Sequence, residues 1–287
     1  MQVALAVDIG GTKLAAGLVG DDGSVLDRAV VPTPRPDDGD AEVWFAAIGA
    51  VIAEVRQGDE VVCGVGCGGP MARGGVHVSP LNVSQVRRFP LRDRLAELTG
   101  LPTYVDNDAK ALARGEGWVG AAAGEHAFLA LVVSTGVGGG IVLDGRVLDG
   151  HEGNAGHIGH ITVEPEGRPC VCGARGCLEA EASGTAIRAI TGASPKDAPL
   201  EVRRRTGMLV GRAVAAAANL LDLRLAVVAG SVALGYGDDF FEAAQEEIDA
   251  RARLEFAAGT RIRPGGLVDA GPLVGAAAVG FAGLTTA

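Results

Sequence analysis

The chain has 287 residues, a formal net charge of -10 (Lys+Arg 25 against Asp+Glu 35), and 48% hydrophobic but only 4% aromatic residues. That length buries a self-sufficient core without disulfide staples, and the acidic balance argues against a surface built for nucleic acid or anionic lipid. The 45 glycines, about twice the usual ~7% share, follow no Gly-X-Y period, which excludes collagen, and aliphatic residues recurring at strand and helix spacing exclude disorder.

Residues 2–9 form an apolar, β-prone run ending in Gly10-Gly11-Thr12, and runs at 14–19 and 24–31 flank Asp21-Asp22-Gly23, giving three strands joined by tight turns. Helix-spaced Val43, Ala47, Val51 and Val55 predict a helix over 41–56, and 60–66 reads as a buried strand. A glycine loop and a further loop follow, then a helix at 91–98, a strand at 102–105 that stops at Asp106-Asn107-Asp108, and a helix at 109–118. Residues 127–133, a glycine turn at 136–140, a strand at 141–143 and another just beyond Asp144-Gly145 restate the opening, as expected of two related α/β lobes. Helices are expected at 184–190, 200–221, 238–254 and 272–284, with a strand at 225–229 ending in Gly230-Ser231. No run reaches the ~18 apolar residues of a membrane span, and the opening MQVALAVDIGG lacks the basic start and cleavage site of a signal peptide.

Asp8-Ile9-Gly10-Gly11-Thr12-Lys13 sits where a strand turns sharply. Glycines there let backbone amides approach phosphate oxygens, and an aspartate at the strand end can hold magnesium. The same six residues also suit a plain β-hairpin turn. Ser134-Thr135-Gly136-Val137-Gly138-Gly139-Gly140 is a second such turn in an equivalent position. In Asp106-Asn107-Asp108, Asp106 reads as a helix N-cap or a solvated side chain. Asp108 reads as a general base on a rigid strand end, and Asn107 offers a donor and an acceptor to a neighbouring sugar hydroxyl. His160 with Cys170, Cys172 and Cys177 supplies three thiolates and one imidazole, the donor set of a tetrahedral structural zinc site. Five cysteines do not pair evenly, so a reducing compartment is expected, and Cys63 and Cys67 read as small core fillers. The glycines cluster at 10–11, 64–75, 136–140, 150–176 and 230, where backbone would turn sharply or come close to a ligand or metal.

Taken in order, DIGGTK, Asn107-Asp108, STGVGGG and H-x9-CxCGxxGCxE resemble the ROK family of sugar kinases and sugar-responsive repressors, over essentially the whole chain. The resemblance implies an α/β, two-lobed ribonuclease-H-like (actin/hexokinase-type) fold with a zinc-binding insertion. The small lobe would span 1–107, completed by a C-terminal helix at 272–287, and the large lobe 108–271 with the zinc loop at 150–183. It implies a homodimer that uses ATP and magnesium to phosphorylate a hexose or aminohexose at its 6-hydroxyl, while the acidic charge and the lack of an apolar span or signal peptide lead us to expect a cytoplasmic protein with no nucleic-acid or membrane partner. Asp108 is then the base toward that hydroxyl and Asn107 a ligand of the adjacent one, while His160 and Glu179 contact the anomeric end and Gly69 lies on the sugar side. Gly11, Thr12, Lys13, Thr135, Gly136 and Gly138 would line the phosphates, with Asp8 toward magnesium and Gly230 and Ser231 near the nucleoside.

One departure bears on the sugar. Glucose-specific members of this family usually carry Glu-x-Gly-His before the cysteine loop, whereas this chain has His157-Ile158-Gly159-His160, wording similar to that of N-acetylmannosamine kinases. His157 could instead be a solvated loop residue, or compete with His160 for zinc. Glucose, N-acetylmannosamine, N-acetylglucosamine and other aminohexoses all remain open, as does polyphosphate in place of ATP. The family's repressors carry a DNA-binding domain before the kinase-like body, for which a first glycine turn starting at residue 8 leaves no room. A sugar-binding sensor without turnover is the rival reading.

Overall fold

Residues 1–286 are described by a computed structural model. The chain forms two compact units, one made of Met1–Ala123, Asp149–Ala155 and the segment from Asp269 onward, the other of Gly124–Leu148 and Gly156–Val268. In the first unit β1 (Val3–Ile9), β2 (Lys13–Gly20) and β3 (Val25–Pro32) form an antiparallel meander. Helix α1 (Ala41–Val55) leads to β4 (Val62–Cys67), and α2 (Leu91–Thr99) to β5 (Thr103–Asn107), both parallel to β1; α3 (Asp108–Trp118) follows. The second unit repeats the plan with β6 (Phe128–Val133), β7 (Val137–Leu143) and β8 (Arg146–Val147), then helices α4 (Leu178–Ala182), α5 (Gly184–Thr191) and α6 (Leu200–Leu221) before the parallel strand β9 (Leu225–Ala229). Helices α7 (Ser231–Tyr236) and α8 (Asp238–Arg251), strand β10 (Arg261–Pro264) and α9 (Gly271–Thr286) complete the elements. The sheet orders, β3-β2-β1-β4-β5 and β8-β7-β6-β9-β10, are the same when each unit's strands are numbered from its own first strand.

Strand β1 is buried along its whole length because both faces of its sheet are covered. Leu5, Val7 and Ile9 join Trp44 and Ile48 of α1 and Leu91 and Leu95 of α2 in one core. Ala4 and Ala6 point the other way, to Leu273, Ala276 and Ala277 of α9. The period of two puts Asp8 on this alanine face, at the carboxyl end of the strand. The small side chains let α9 lie against the sheet backbone. A methyl group at Gly64 would overlap the Ala276 carbonyl, and one at Gly275 would lie 2.6 Å from the carbonyl oxygen of Ala111 in α3. Glycines 64 and 66 therefore belong to a packed strand, not to the functional loop expected at 64–75.

The same close packing draws α3 into the first unit, so the boundary falls after residue 123 and not at 107. The window Val268–Thr285, with a mean hydropathy of 1.4, does reach the length and apolarity of a membrane span, contrary to the sequence expectation. Half of it is buried against the protein, and its alanines and glycines serve that packing. In the second unit α6 and α8 use the same device, Gly207 and Gly211 lying beneath the backbone of Phe240 and Ala244. The helix α7 and the strand β10 escape sequence reading, being only 6 and 4 residues long.

Gly64→Ala tests the α9 contact. Because the obstacle is helix backbone and not a flexible side chain, the substitution should lower stability by about 3 kcal/mol in urea unfolding. An unchanged midpoint would show that α9 does not press on β4.

Candidate active site and zinc centre

The parallel register sets Asp8, Gly66 and Asp106 level with one another across β1, β4 and β5. A Cβ built at Gly66 would lie 3.8 Å from Asp8 Oδ1 and 3.7 Å from Asp108 Cα, so the two carboxylate-bearing residues flank this glycine. Asp8 is 9% exposed. Burial, then the neighbouring Asp108 charge, push its carboxyl up to about 7, with Lys13 opposing. A buried carboxylate beside a second one is an oxygen-donor set that a divalent cation would relieve, and magnesium fits it.

Asn107 is the N-cap of α3, its Oδ1 accepting from Ala109 N at 3.1 Å, and Asp108 Oδ1 accepts from the same amide at 2.8 Å. Asp106 is neither cap nor solvated. It is buried and ion-paired with Lys110, whose Nζ lies 2.8 Å from its Oδ1, because Lys110 stands four residues on and faces the same way. The Gly10–Lys13 segment is a hairpin turn closed by Gly10 N donating to Lys13 O at 3.0 Å, and Thr33 Oγ1 donates to Gly10 O at 2.8 Å. Gly11, Thr12 and Lys13 are exposed on it, and Asn82 lies directly over Gly11, 2.6 Å from a Cβ placed there. Gly69 precedes Pro70 through a cis peptide and accepts from Leu81 N at 3.1 Å. Cys63 and Cys67 are fully buried in the β4 core, and burial pushes the Cys63 thiol up to about 12.

In the second unit the glycine segment divides. Ser134 to Gly136 form the turn, while Gly138 sits inside β7 opposite Val132 and not in the turn expected at 136–140. Glycine is required in this strand because a Cβ at Gly139 would lie 2.8 Å from Ile158 Cγ2. The turn is pinned by Gly184 N and Thr185 Oγ1, which donate to Ser134 O and Thr135 O at 2.7 and 2.9 Å. Ser231 Oγ meets Ser134 Oγ at 3.1 Å, and Gly230 adopts φ +101, where a Cβ would strike the Val133 carbonyl. Thr135, Gly136, Gly230 and Ser231 are thus brought together. Glu179 joins them: its Oε2 accepts from Val137 N at 3.0 Å.

His160, Cys170, Cys172 and Cys177 converge, with all four ligand atoms within 4.8 Å of one another. The His160 Nδ1 to Cys170 Sγ and Cys172 Sγ to Cys177 Sγ distances are both 3.7 Å. Zn–S bonds of ~2.3 Å at a tetrahedral angle put sulfur atoms about 3.8 Å apart, so the Cys172–Cys177 pair is spaced for zinc and the donor set fits the ion. Burial first, then Cys170 and Cys172, push the Cys177 thiol up to about 12, a cost that a bound cation would reverse. With Nδ1 facing the cysteines, His160 Nε2 points away from the metal and can serve a ligand. His157 is not in the cluster. It is exposed and stacks on His160, ring centroids 6.1 Å apart at 28°, so competition for zinc is not what the structure shows.

Two measurements follow from these environments. A carboxyl with a raised folded value favours the fold while protonated and costs stability as pH climbs through ~4 to ~7, in all about 4 kcal/mol. Asp8→Asn should therefore be more thermostable than the parent in metal-free buffer at pH 8, with the gap shrinking at pH 5; a pH-independent gap would contradict the buried charge. Metal analysis should find one zinc per chain, lost in Cys170→Ser together with several degrees of Tm, and a zinc-free parent of unchanged Tm would refute the centre.

The family model for the ROK family matches residues 4–280. A glucokinase of Thermotoga maritima is 42% identical over 187 residues, 64% of this chain and 58% of that protein's length. An N-acetylmannosamine kinase of Citrobacter koseri is 36% identical over 249 residues, 81% of this chain and 84% of that protein. Among solved structures, a ROK family glucokinase from Streptomyces griseus in complex with glucose and AMPPNP superposes with a TM-score of 0.84 at 29% identity, covering 98% of this chain and 99% of that one. The repeated five-stranded plan, the carboxylates at the strand ends and the His/Cys cluster meet in a single assignment: the chain belongs to the ROK family.

Proposed function

We propose that the protein transfers the γ-phosphoryl group of ATP to the 6-hydroxyl of a hexose or aminohexose. The observation that carries this is Asp108, a carboxylate fixed at the end of β5 by the first turn of α3, beside Asn107 and the desolvated Asp8. Phosphoryl transfer asks little covalent chemistry of a protein and rests on positioning and charge stabilisation. Asp108 orients the attacking hydroxyl and accepts its proton. Asn107, whose Oδ1 is engaged in the cap, directs its Nδ2 to the neighbouring sugar hydroxyl. Gly69, His160 and Glu179 serve the rest of the sugar. Gly11, Thr12 and Lys13 of one turn and Thr135, Gly136 and Gly138 of the other line the phosphates, and Gly230 and Ser231 flank the nucleoside. Magnesium near Asp8 supplies charge neutralisation on the β- and γ-phosphates when bound. His160, Cys170, Cys172 and Cys177 would hold a zinc ion with four protein ligands, whose part would then be structural, keeping His160 and the loop before Glu179 in place.

His157 favours a 2-acylamino sugar over glucose, since an exposed imidazole replaces the carboxylate that glucose-specific members use. The unpaired thiols and the use of ATP support a cytoplasmic setting. A homodimer follows from membership of the family rather than from any one surface.

A coupled ADP-release assay over a sugar panel tests the proposal, with polyphosphate as an alternative donor. Turnover is expected on at least one hexose, 2-acylamino sugars leading; glucose preferred by more than about tenfold over each of them, ~1.4 kcal/mol, would remove the inference from His157. Asp108→Asn should lower kcat by about 10²–10⁴-fold while sugar binding survives, and near-normal turnover would sink the role of Asp108. A parent inactive on every sugar would leave the sensor reading in its place.

A further inference from the structure

We infer that Lys110 is a positioning residue that locks the Asn107-Asp108 strand end and the Gly69 loop to each other through the strap at residues 149–154. The inference deepens the kinase reading and rests on it only for the consequence on turnover. Lys110 is 2% exposed, in the first turn of α3. Its ammonium donates to Asp149 Oδ1 at 2.7 Å and to Gly153 O at 3.3 Å, and it is ion-paired with Asp106, Nζ lying 2.8 Å from Oδ1. Arg114 closes the group at 3.4 Å from Asp106 Oδ2, giving two positive and two negative charges. Desolvation is the largest influence on the Asp149 carboxyl and pushes it up, but the Lys110 hydrogen bond and charge, with the Arg114 and Arg73 charges, outweigh it and hold the group below its usual range.

Each end of this network reaches a proposed sugar-side element. Asp106 Oδ1 also accepts from Asn107 N at 2.9 Å, so the backbone just before Asp108 is fixed by the carboxylate that Lys110 holds. At the other end Asn154 makes a two-point clamp on Met71, accepting from its N at 3.3 Å and donating to its O at 3.1 Å, one residue beyond Gly69-Pro70. Gly153 packs on Arg73, where a Cβ would lie 3.3 Å from the Arg73 Cα. Ala155 N donates to Asp149 O at 3.0 Å and closes the strap on itself. Buried ionic clusters are seldom the cheapest way to fill a core, since apolar replacements of like volume are often as stable. What the cluster provides is a fixed geometry, and displacements near 1 Å cost about 10²-fold in rate.

The test compares full-length parent, Lys110→Met and Asp149→Asn by amide hydrogen exchange and by kinetics on the best sugar of the panel. In Lys110→Met, exchange should rise together in peptides covering 69–72 and 106–109, and kcat should fall by about 100-fold with the KM for ATP within about threefold of the parent. Asp149→Asn should show the same two peptides and a loss of about tenfold, and it decides the matter if Lys110→Met does not fold. Exchange rising in only one segment, or a lower Tm with kcat within about twofold of the parent, overturns the inference. A parent inactive on every sugar defeats the kinase reading instead, and the paired exchange then judges Lys110 alone.

Discussion

Two aspartates held apart by a glycine set the chemistry of the first unit. Parallel pairing of β1, β4 and β5 brings residues 8, 66 and 106 level at the carboxyl ends of the strands, the place where open α/β sheets present their ligand-binding residues. The sheet is covered on both faces, so Asp8 cannot be solvated from behind, and the nearby Asp108 charge adds to its burden. Under the proposed kinase reading, a cation and a phosphorylated ligand would relieve that cost. The hairpin turn at Gly10–Lys13, the cap of α3 and the buried Lys110 network all hold backbone around this one point of charge.

The glycine excess divides between two physical tasks. At Gly11, Gly136 and Gly230 a side chain would strike Asn82, Glu179 or the Val133 carbonyl, so glycine there keeps the turns open around the proposed phosphate and nucleoside groups. At Gly64, Gly207, Gly211 and Gly275 it lets a helix lie on another backbone. A chain with 4% aromatic residues fills its interior by bringing backbones close, and alanine and glycine are the residues that permit it.

Much of the architecture was legible because burial leaves a period in the sequence. The strands and long helices follow from apolar spacing, and the repeated strand-turn-strand opening implied the paired sheets. The His160-Cys170-Cys172-Cys177 cluster was legible because three cysteines and a histidine have few other uses in so short a segment. The division of STGVGGG was not, since glycine carries no side chain to reveal that Val137 to Gly140 are strand. The role of Asp106 had a visible clue in Lys110 and Arg114 at steps of four, but the second carboxylate that Lys110 holds, Asp149, lies 39 residues from it and only the fold brings them together. The C-terminal helix passed unnoticed as a membrane-length segment because glycines dilute its apolar run.

The central claim is that Asp8 is a carboxylate whose burial and neighbour store the cost that ligand binding relieves. Carboxyl carbon NMR of the metal-free protein, with Asp8 assigned through Asp8→Asn, measures this without reference to any sugar. The structure predicts a midpoint of about 7 for Asp8, falling when Asp108 is replaced by Asn. A midpoint near 4, unmoved by that substitution, would contradict the account.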